Sequence, residues 1–291
     1  MSVEYISLAI LMAMIVMMTL GFHLAFITGS IAIVATLLVI GPNGLPLIAT
    51  RMYTFVTTPA LMAVPMFILM ATFMERSGVA QDLFNSMYAW SGRLRGGVAI
   101  QTMFVAVLLA AITGIVGGEI VMLGLVALPQ LLRLNYDKHL ALGTIAAGGA
   151  LGTMIPPSIV LIMFAVTAGV STGELFKATL MPGLLLASLY MLYIFITCKI
   201  NPTKGPVLPE EEQLSLLEKI ITMKKLFFPG LIGVSVLGSI YGGIASVTEA
   251  ASVGCMATII LVLVRKKMTK NNLNGALSLI HISEPTRPSQ I

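Results

Sequence analysis

Chemistry in this chain concentrates in two short stretches where oxygen-bearing residues meet backbone that a helix cannot keep closed. The first is Thr113–Gly114–Ile115–Val116–Gly117–Gly118–Glu119, which sets a hydroxyl, a carboxylate and glycines inside an apolar run. Glycine lets backbone carbonyls and N–H groups turn toward a ligand with no Cβ in the way. The second is Gly152–Thr153–Met154–Ile155–Pro156–Pro157–Ser158. Each proline lacks an N–H and frees the carbonyl of the preceding turn. Freed carbonyls, together with the hydroxyls of Thr153 and Ser158, are oxygen ligands suited to a hard cation. The candidate ion- and substrate-binding residues are therefore Thr113, Gly114, Gly117, Gly118, Glu119, Gly152, Thr153, Met154, Pro156, Pro157 and Ser158.

Glu119 is the sharpest of these. A carboxylate at membrane depth is costly and marks a functional candidate. Ion ligand, proton carrier and structural acceptor for nearby N–H groups all remain open roles for it. Glu249 and Glu174 instead stand at helix starts, where the dipole favours a carboxylate, and read as capping groups. His23 and His139 fall at turns, and Cys198 and Cys255 lie in apolar runs without a partner at metal spacing, as small core residues do. The chain has no nucleotide-binding glycine motif followed by lysine and no His-Glu metal helix, so no catalytic residue or cofactor is assigned and the chain reads as a non-enzyme.

The composition sets the surroundings. Of 291 residues, 57% are hydrophobic and 10% charged, and the mean hydropathy is +0.99. Soluble domains carry about 25% charged residues, so the chain is a polytopic, all-α membrane protein embedded in a lipid bilayer. The net charge of +5 gathers between apolar segments, which calls for no nucleic-acid partner.

A full span needs about 20 apolar residues. Ser7–Leu20 and Leu24–Ile40 form a first pair, and Pro42–Thr58 is a less apolar connection. Leu61–Met74 follows, then Val79–Trp90, whose Val79, Leu83, Met87 and Trp90 share one face. That pattern predicts a helix lying in the membrane interface. Val98–Leu132 is an apolar run interrupted at 113–119, Leu140–Ala168 one interrupted at 155–158, and Leu180–Thr197 an unbroken span. A polar loop over 199–225 leads to Leu226–Tyr241 and Val247–Val264.

Basic loops face the cytoplasm, which places Arg93/Arg95, Arg133/Lys138, 199–225 and Arg265–Lys267 there and the N-terminus outside. Val98–Leu132, flanked by basic turns, then enters and leaves on one side. Its short limbs and polar tip favour a re-entrant hairpin, although two short complete spans satisfy the charge rule equally. Interrupted helices of this kind point to binding sites in secondary transporters.

Val64–Pro65–Met66–Phe67–Ile68–Leu69–Met70, Met74–Glu75–Arg76–Ser77–Gly78 and Gly92–Arg93–Leu94–Arg95–Gly96–Gly97 together resemble the large membrane subunit of tripartite ATP-independent periplasmic (TRAP) transporters. Gly149–Ser158 looks like that family's broken-helix motif, and Tyr241–Gly242–Gly243–Ile244 with Thr248–Glu249–Ala250–Ala251 is similar to the start of its second repeat. The resemblance covers Met1–Ala276. It implies an elevator-type fold of the ion-transporter superfamily, built from inverted repeats. On that reading 1–60 are scaffold helices and 61–198 the first repeat, with interfacial arm 79–91, re-entrant hairpin 97–133 and broken helix 139–170. Residues 199–225 are then a cytoplasmic loop, and 226–276 begin the second repeat.

The resemblance further implies sodium-coupled uptake of an organic acid such as a C4-dicarboxylate or sialic acid across a bacterial inner membrane. Its implied partners are a small four-helix membrane subunit and a periplasmic substrate-binding protein. An anion symporter of the same superfamily, working without a binding protein, is the alternative, with a membrane enzyme a more distant one. The implied Na+ site lies at Thr113, Gly114, Thr153 and Ser158. The tip departs from the family's more usual Ser-Gly-Ser-rich, uncharged form, because Glu119 adds a carboxylate.

Leu277–Pro288 reads as the translation of a sequencing-library adapter, so 277–291 are expected to be foreign to the fold. The second hairpin and second broken helix are then expected beyond Ala276, and the chain as given is expected not to transport.

Overall fold

The computed structural model describes residues 3–88, 90–92, 94–114, 116–209, 216–224, 227–265 and 267. The expected adapter-derived stretch 277–291, the acidic run at 210–212 and Ile115 at the hairpin tip lie outside the described residues. Among the described residues the secondary structure is helical throughout, and the chain divides into compact units at 1–58 and 59–291.

In the first unit, α1 (Val3–Thr19) and α2 (Leu24–Val39) form an antiparallel pair about the left-handed Gly21. Both are apolar nearly all round, and Leu8, Leu11, Phe26 and Leu38 stay exposed on the protein surface, as residues facing lipid do. The expected connection at 42–58 is itself helical. A 3-10 turn at Pro42–Gly44 leads into α3 (Leu45–Val56), because Pro46 at the start of a helix lacks only an N–H that would have no partner there.

The second unit is built on α4 (Ala63–Arg76), which packs along α13 (Val247–Val264). The two approach closely because Gly254 carries no side chain: a Cβ there would stand 2.9 Å from Met70 Sδ. Phe67, Met70, Met74, Leu109, Val236 and Ala251 fill the core at this contact. α13 opens on a capping box in which the Ser246 N–H donates to Glu249 Oε2 at 2.7 Å and the Glu249 N–H donates to Ser246 Oγ at 3.3 Å. Glu249 is thus the cap expected of it. For α10 (Thr172–Ile200) the cap is Ser171, and Glu174 in the first turn pairs with Lys177 at 3.0 Å. That cap starts the helix earlier than its apolar run alone suggests.

α5 (Val79–Tyr88) is amphipathic as expected, but its apolar face covers protein rather than lipid. Val79, Ala80, Leu83 and Phe84 are buried, and α5 packs on α4, α6 and α7. Gln101 fastens it there by accepting from Ser91 Oγ at 2.8 Å and donating to the Phe84 carbonyl at 3.1 Å. Periodicity reveals an apolar face but not what covers it.

α6 (Gly97–Thr113) and α7 (Val116–Arg133) are the limbs of the interrupted run, and α8 (Lys138–Ala150) and α9 (Ile159–Ala168) are the halves of the broken helix. Both basic turns are tied to the turn after α10, since Gly96 N–H donates to Gly205 O and Asp137 N–H to Lys204 O, each at 3.0 Å. Tyr136 adds a strut, accepting from the Val98 N–H at 3.3 Å. Burial pushes its phenol well up from the usual tyrosine range, so it stays protonated. α11 (Leu216–Met223) lies beside α5, and α12 (Phe227–Tyr241) packs on α13. The segments Pro59–Arg76, Thr172–Ile200 and Val247–Val264 are long and apolar enough to cross a membrane, and several shorter apolar helices accompany them.

Candidate functional site

The two interruptions meet. α6 ends at Gly114, whose φ of 61° is left-handed and suits glycine. A Cβ at Gly114 would collide with the carbonyl oxygen of Pro157, so the tip sits directly on the break. The Ile159 N–H donates to the Gly114 carbonyl at 3.4 Å and ties the second half of the broken helix to the tip. The break itself runs through a 3-10 turn at Leu151–Thr153 and a cis Pro156–Pro157 bond, with Pro156, Pro157 and Ser158 buried.

Glu119 lies at the centre of this contact. On the first turn of α7, its side chain is 2% exposed. Thr113 Oγ1 donates to Glu119 Oε1 at 2.5 Å, a bond that closes the tip across the glycines. On the opposite side Gly152 leaves room for the carboxylate, and a Cβ there would stand 2.6 Å from Oε2. Glu119 Oε2 has no hydrogen-bond partner among the described residues although it is buried. An orphaned buried oxygen is expensive, and a cation or a proton would satisfy it.

The expected hydroxyls are differently engaged. Ser158 Oγ donates to the Thr153 carbonyl at 3.1 Å, and Thr153 Oγ1 donates to the Ala150 carbonyl at 2.8 Å. A hydroxyl that donates its proton keeps its lone pairs, so both oxygens can still face a cation. Met154 is half-buried, with Gly183 of α10 packed against it. No cluster of three or more His, Cys, Asp or Glu residues occurs among the described residues. An ion here would rely on oxygen ligands, neutral groups together with carboxylate, a set that suits a hard cation better than zinc or copper.

A cavity of about 590 Å³ opens on the α4 side of the tip. Thr113, Gly117, Gly118 and Glu119 line it, whereas Gly152 stands against the carboxylate and does not line the cavity. Thr72 and Glu75 of α4 complete its polar wall. Sequence reasoning passed over both. Glu75 sits at a helix end beside Arg76, where a charge needs no explanation, and only the packing of α4 against α6 brings it to the tip.

A hairpin tip seated on a broken helix, within a chain of apolar helices, marks a multi-pass membrane protein. The chain belongs to the family described as "Tripartite ATP-independent periplasmic transporter, DctM component", whose profile matches residues 11–282. It is similar to the C4-dicarboxylate TRAP transporter large permease protein DctM of Pseudomonas aeruginosa, with 33% identity over 76% of this chain and 51% of that protein. The C4-dicarboxylate large permease DctM of Vibrio cholerae is 35% identical over 67% of this chain and 42% of its own length. The ectoine/5-hydroxyectoine large permease UehC of Ruegeria pomeroyi is 32% identical over 89% and 60%. The chain thus spans about half the length of the curated relatives it matches.

Proposed function

We propose that this chain is the large permease of a sodium-coupled, binding-protein-dependent importer of a small organic acid in the bacterial inner membrane. It would work with a small four-helix membrane subunit and a periplasmic substrate-binding protein. The observation that carries the reading is the buried, unpartnered Glu119 Oε2, held between the hairpin tip and Gly152. Relatives named for C4-dicarboxylates, ectoines, isethionate and sialic acid support a small organic acid, carboxylate or sulfonate, as the substrate class.

On this reading α6–α7 is a re-entrant hairpin, α8–α9 the broken helix of a first inverted repeat, and α12–α13 the start of a second. The basic turns lie in the cytoplasm and the N-terminus in the periplasm. Sodium would bind at Glu119 Oε2, with the Thr113 and Gly114 oxygens of the tip and the Thr153 and Ser158 oxygens of the break as its candidate further ligands. Its charge offsets the carboxylate and makes seating of the tip depend on the ion. An elevator motion then carries substrate and ion together.

Sodium binding is testable on the chain alone. A ligand that binds only the folded state stabilises it by about 2.7 kcal/mol at a hundred times its Kd. Thermal unfolding in detergent is compared in NaCl and KCl. Sodium should raise the unfolding temperature, and Thr153→Val with Ser158→Ala should diminish that rise. Equal curves in both salts overturn a sodium site at this contact and leave a proton on Glu119 as the next candidate. Transport is tested with the completed complex in liposomes, where uptake of a labelled organic acid must collapse when the sodium gradient is removed.

A further inference from the structure

A second cavity, of about 470 Å³, opens between α8 and α10, away from the hairpin tip. Its deep end is apolar, lined by Ala147 of α8 and Leu189 of α10. Tyr190 and Tyr193 follow along the wall. Near the basic turns the lining changes to Thr197, His139 and Lys204. From Leu189 to Thr197 the groove follows α10 for about 12 Å. It is therefore amphiphilic along its length, apolar toward the middle of the helices and polar where they end.

Gly143 shows that the groove is kept open. Gly148 and Gly149 of the same helix have packing reasons: a Cβ on Gly148 would stand 2.9 Å from Ala106 Cβ, and one on Gly149 would collide with Ile120. A Cβ on Gly143 would meet nothing within 4 Å, and Gly143 lines the groove. Glycine inside a helix is unfavourable, and no protein neighbour here requires one. Its effect is to deepen the groove.

The rim carries the charge. Lys204 supplies a cation and His139 a ring N–H donor, with Lys138 and Lys199 exposed at the same helix ends. Asp137 is the carboxylate among the lining residues, and its Oδ1 is taken up in capping α8 by accepting from the Leu140 N–H at 3.0 Å. An apolar length ending in a cationic rim matches an acyl chain beneath an anionic head group, and basic pockets between membrane helices favour such head groups. We propose that this groove is a binding site for an anionic phospholipid, its phosphate at Lys204 and His139 and one acyl chain lying over Gly143.

The test is native mass spectrometry of the delipidated chain in detergent, titrated with phosphatidylglycerol or with phosphatidylcholine of the same acyl chains. Phosphatidylglycerol should bind at least fivefold more tightly to the wild type. Lys204→Ala combined with His139→Ala should remove that preference and leave phosphatidylcholine binding unchanged. Gly143→Leu should weaken retention of both lipids. Gly124→Leu, on α7 and also with open space at its Cβ, should not. Gly143→Ala is a milder second variant, expected to be at least as helical by circular dichroism and yet to hold lipid less well. Equal retention of the two lipids by the wild type, or unchanged retention in both Gly143 variants, overturns the proposal.

Discussion

Gly152→Ala tests whether the hairpin tip is seated on the broken helix through Glu119. The added Cβ would stand 2.6 Å from Glu119 Oε2 and 2.8 Å from both Oε1 and Cδ, closer than such atoms can approach. To make room the carboxylate would have to swing toward the cavity on the α4 side and strain the bond it accepts from Thr113 Oγ1. Overpacking of this kind costs about 1–3 kcal/mol. The loss of a flexible glycine from the unfolded chain returns about 0.4–1 kcal/mol. A net destabilisation of about 1–2 kcal/mol is expected, which lowers the unfolding temperature by roughly 2–8 °C at about 2–4 °C per kcal/mol. In a Glu119→Ala background the clash has no partner, and the same substitution should be neutral or slightly stabilising. The assay is thermal unfolding in detergent followed by a thiol-reactive dye, because Cys198 and Cys255 are both buried and free and react only as the chain opens. An equal drop with and without Glu119 would refute the contact, and with it the seating of the tip on the break.

Further outcomes follow from the same geometry. Gly114→Ala combines a left-handed backbone with a collision at Pro157 O and should cost about 2–5 kcal/mol from those two sources, whereas Gly117→Ala, with nothing within 4 Å of its Cβ, should be neutral or stabilising in the same dye assay. Arg265 Nη1 and Asp82 Oδ2 lie 2.8 Å apart, and a double-mutant cycle with Asp82→Asn and Arg265→Gln should give a coupling of about 0.5–1 kcal/mol that shrinks in high salt. For topology, Leu94→Cys and Lys138→Cys, both at exposed positions, should label together from the cytoplasmic side in a protein lacking Cys198 and Cys255. Labelling of either from the periplasm would rule out the re-entrant reading.

What the sequence disclosed was whatever rests on local backbone chemistry. The glycines and prolines at 113–119 and 152–158 mark where helices must stop, and the structure breaks its helices there and brings the breaks together. Ser246 and Glu249 form their cap at the spacing a capping box requires. Long-range placement was less legible. The apolar stripe of α5 was plain, but whether lipid or protein covered it depended on how α4, α6 and α7 pack around it. Glu75 became a neighbour of the tip only through the packing of α4, and no spacing within its own segment announces that. The helical form of 45–56 was hidden because its residues are too polar to read as a span and too short to show a period.

The backbone bonds that join Gly96 to Gly205 and Asp137 to Lys204 carry a consequence for synthesis. The donors belong to the feet of the hairpin, and their acceptors are made only after α8, α9 and α10 have emerged from the ribosome. Until then those two N–H groups have water as their partner. Closing such loops costs entropy that grows only slowly with loop length, so the delay lies in chain elongation rather than in an energetic barrier. On the proposed re-entrant reading, the hairpin would enter the bilayer with unfastened feet. A nascent chain stalled before Gly205 should expose Gly96 and Asp137 to amide exchange that the finished protein blocks.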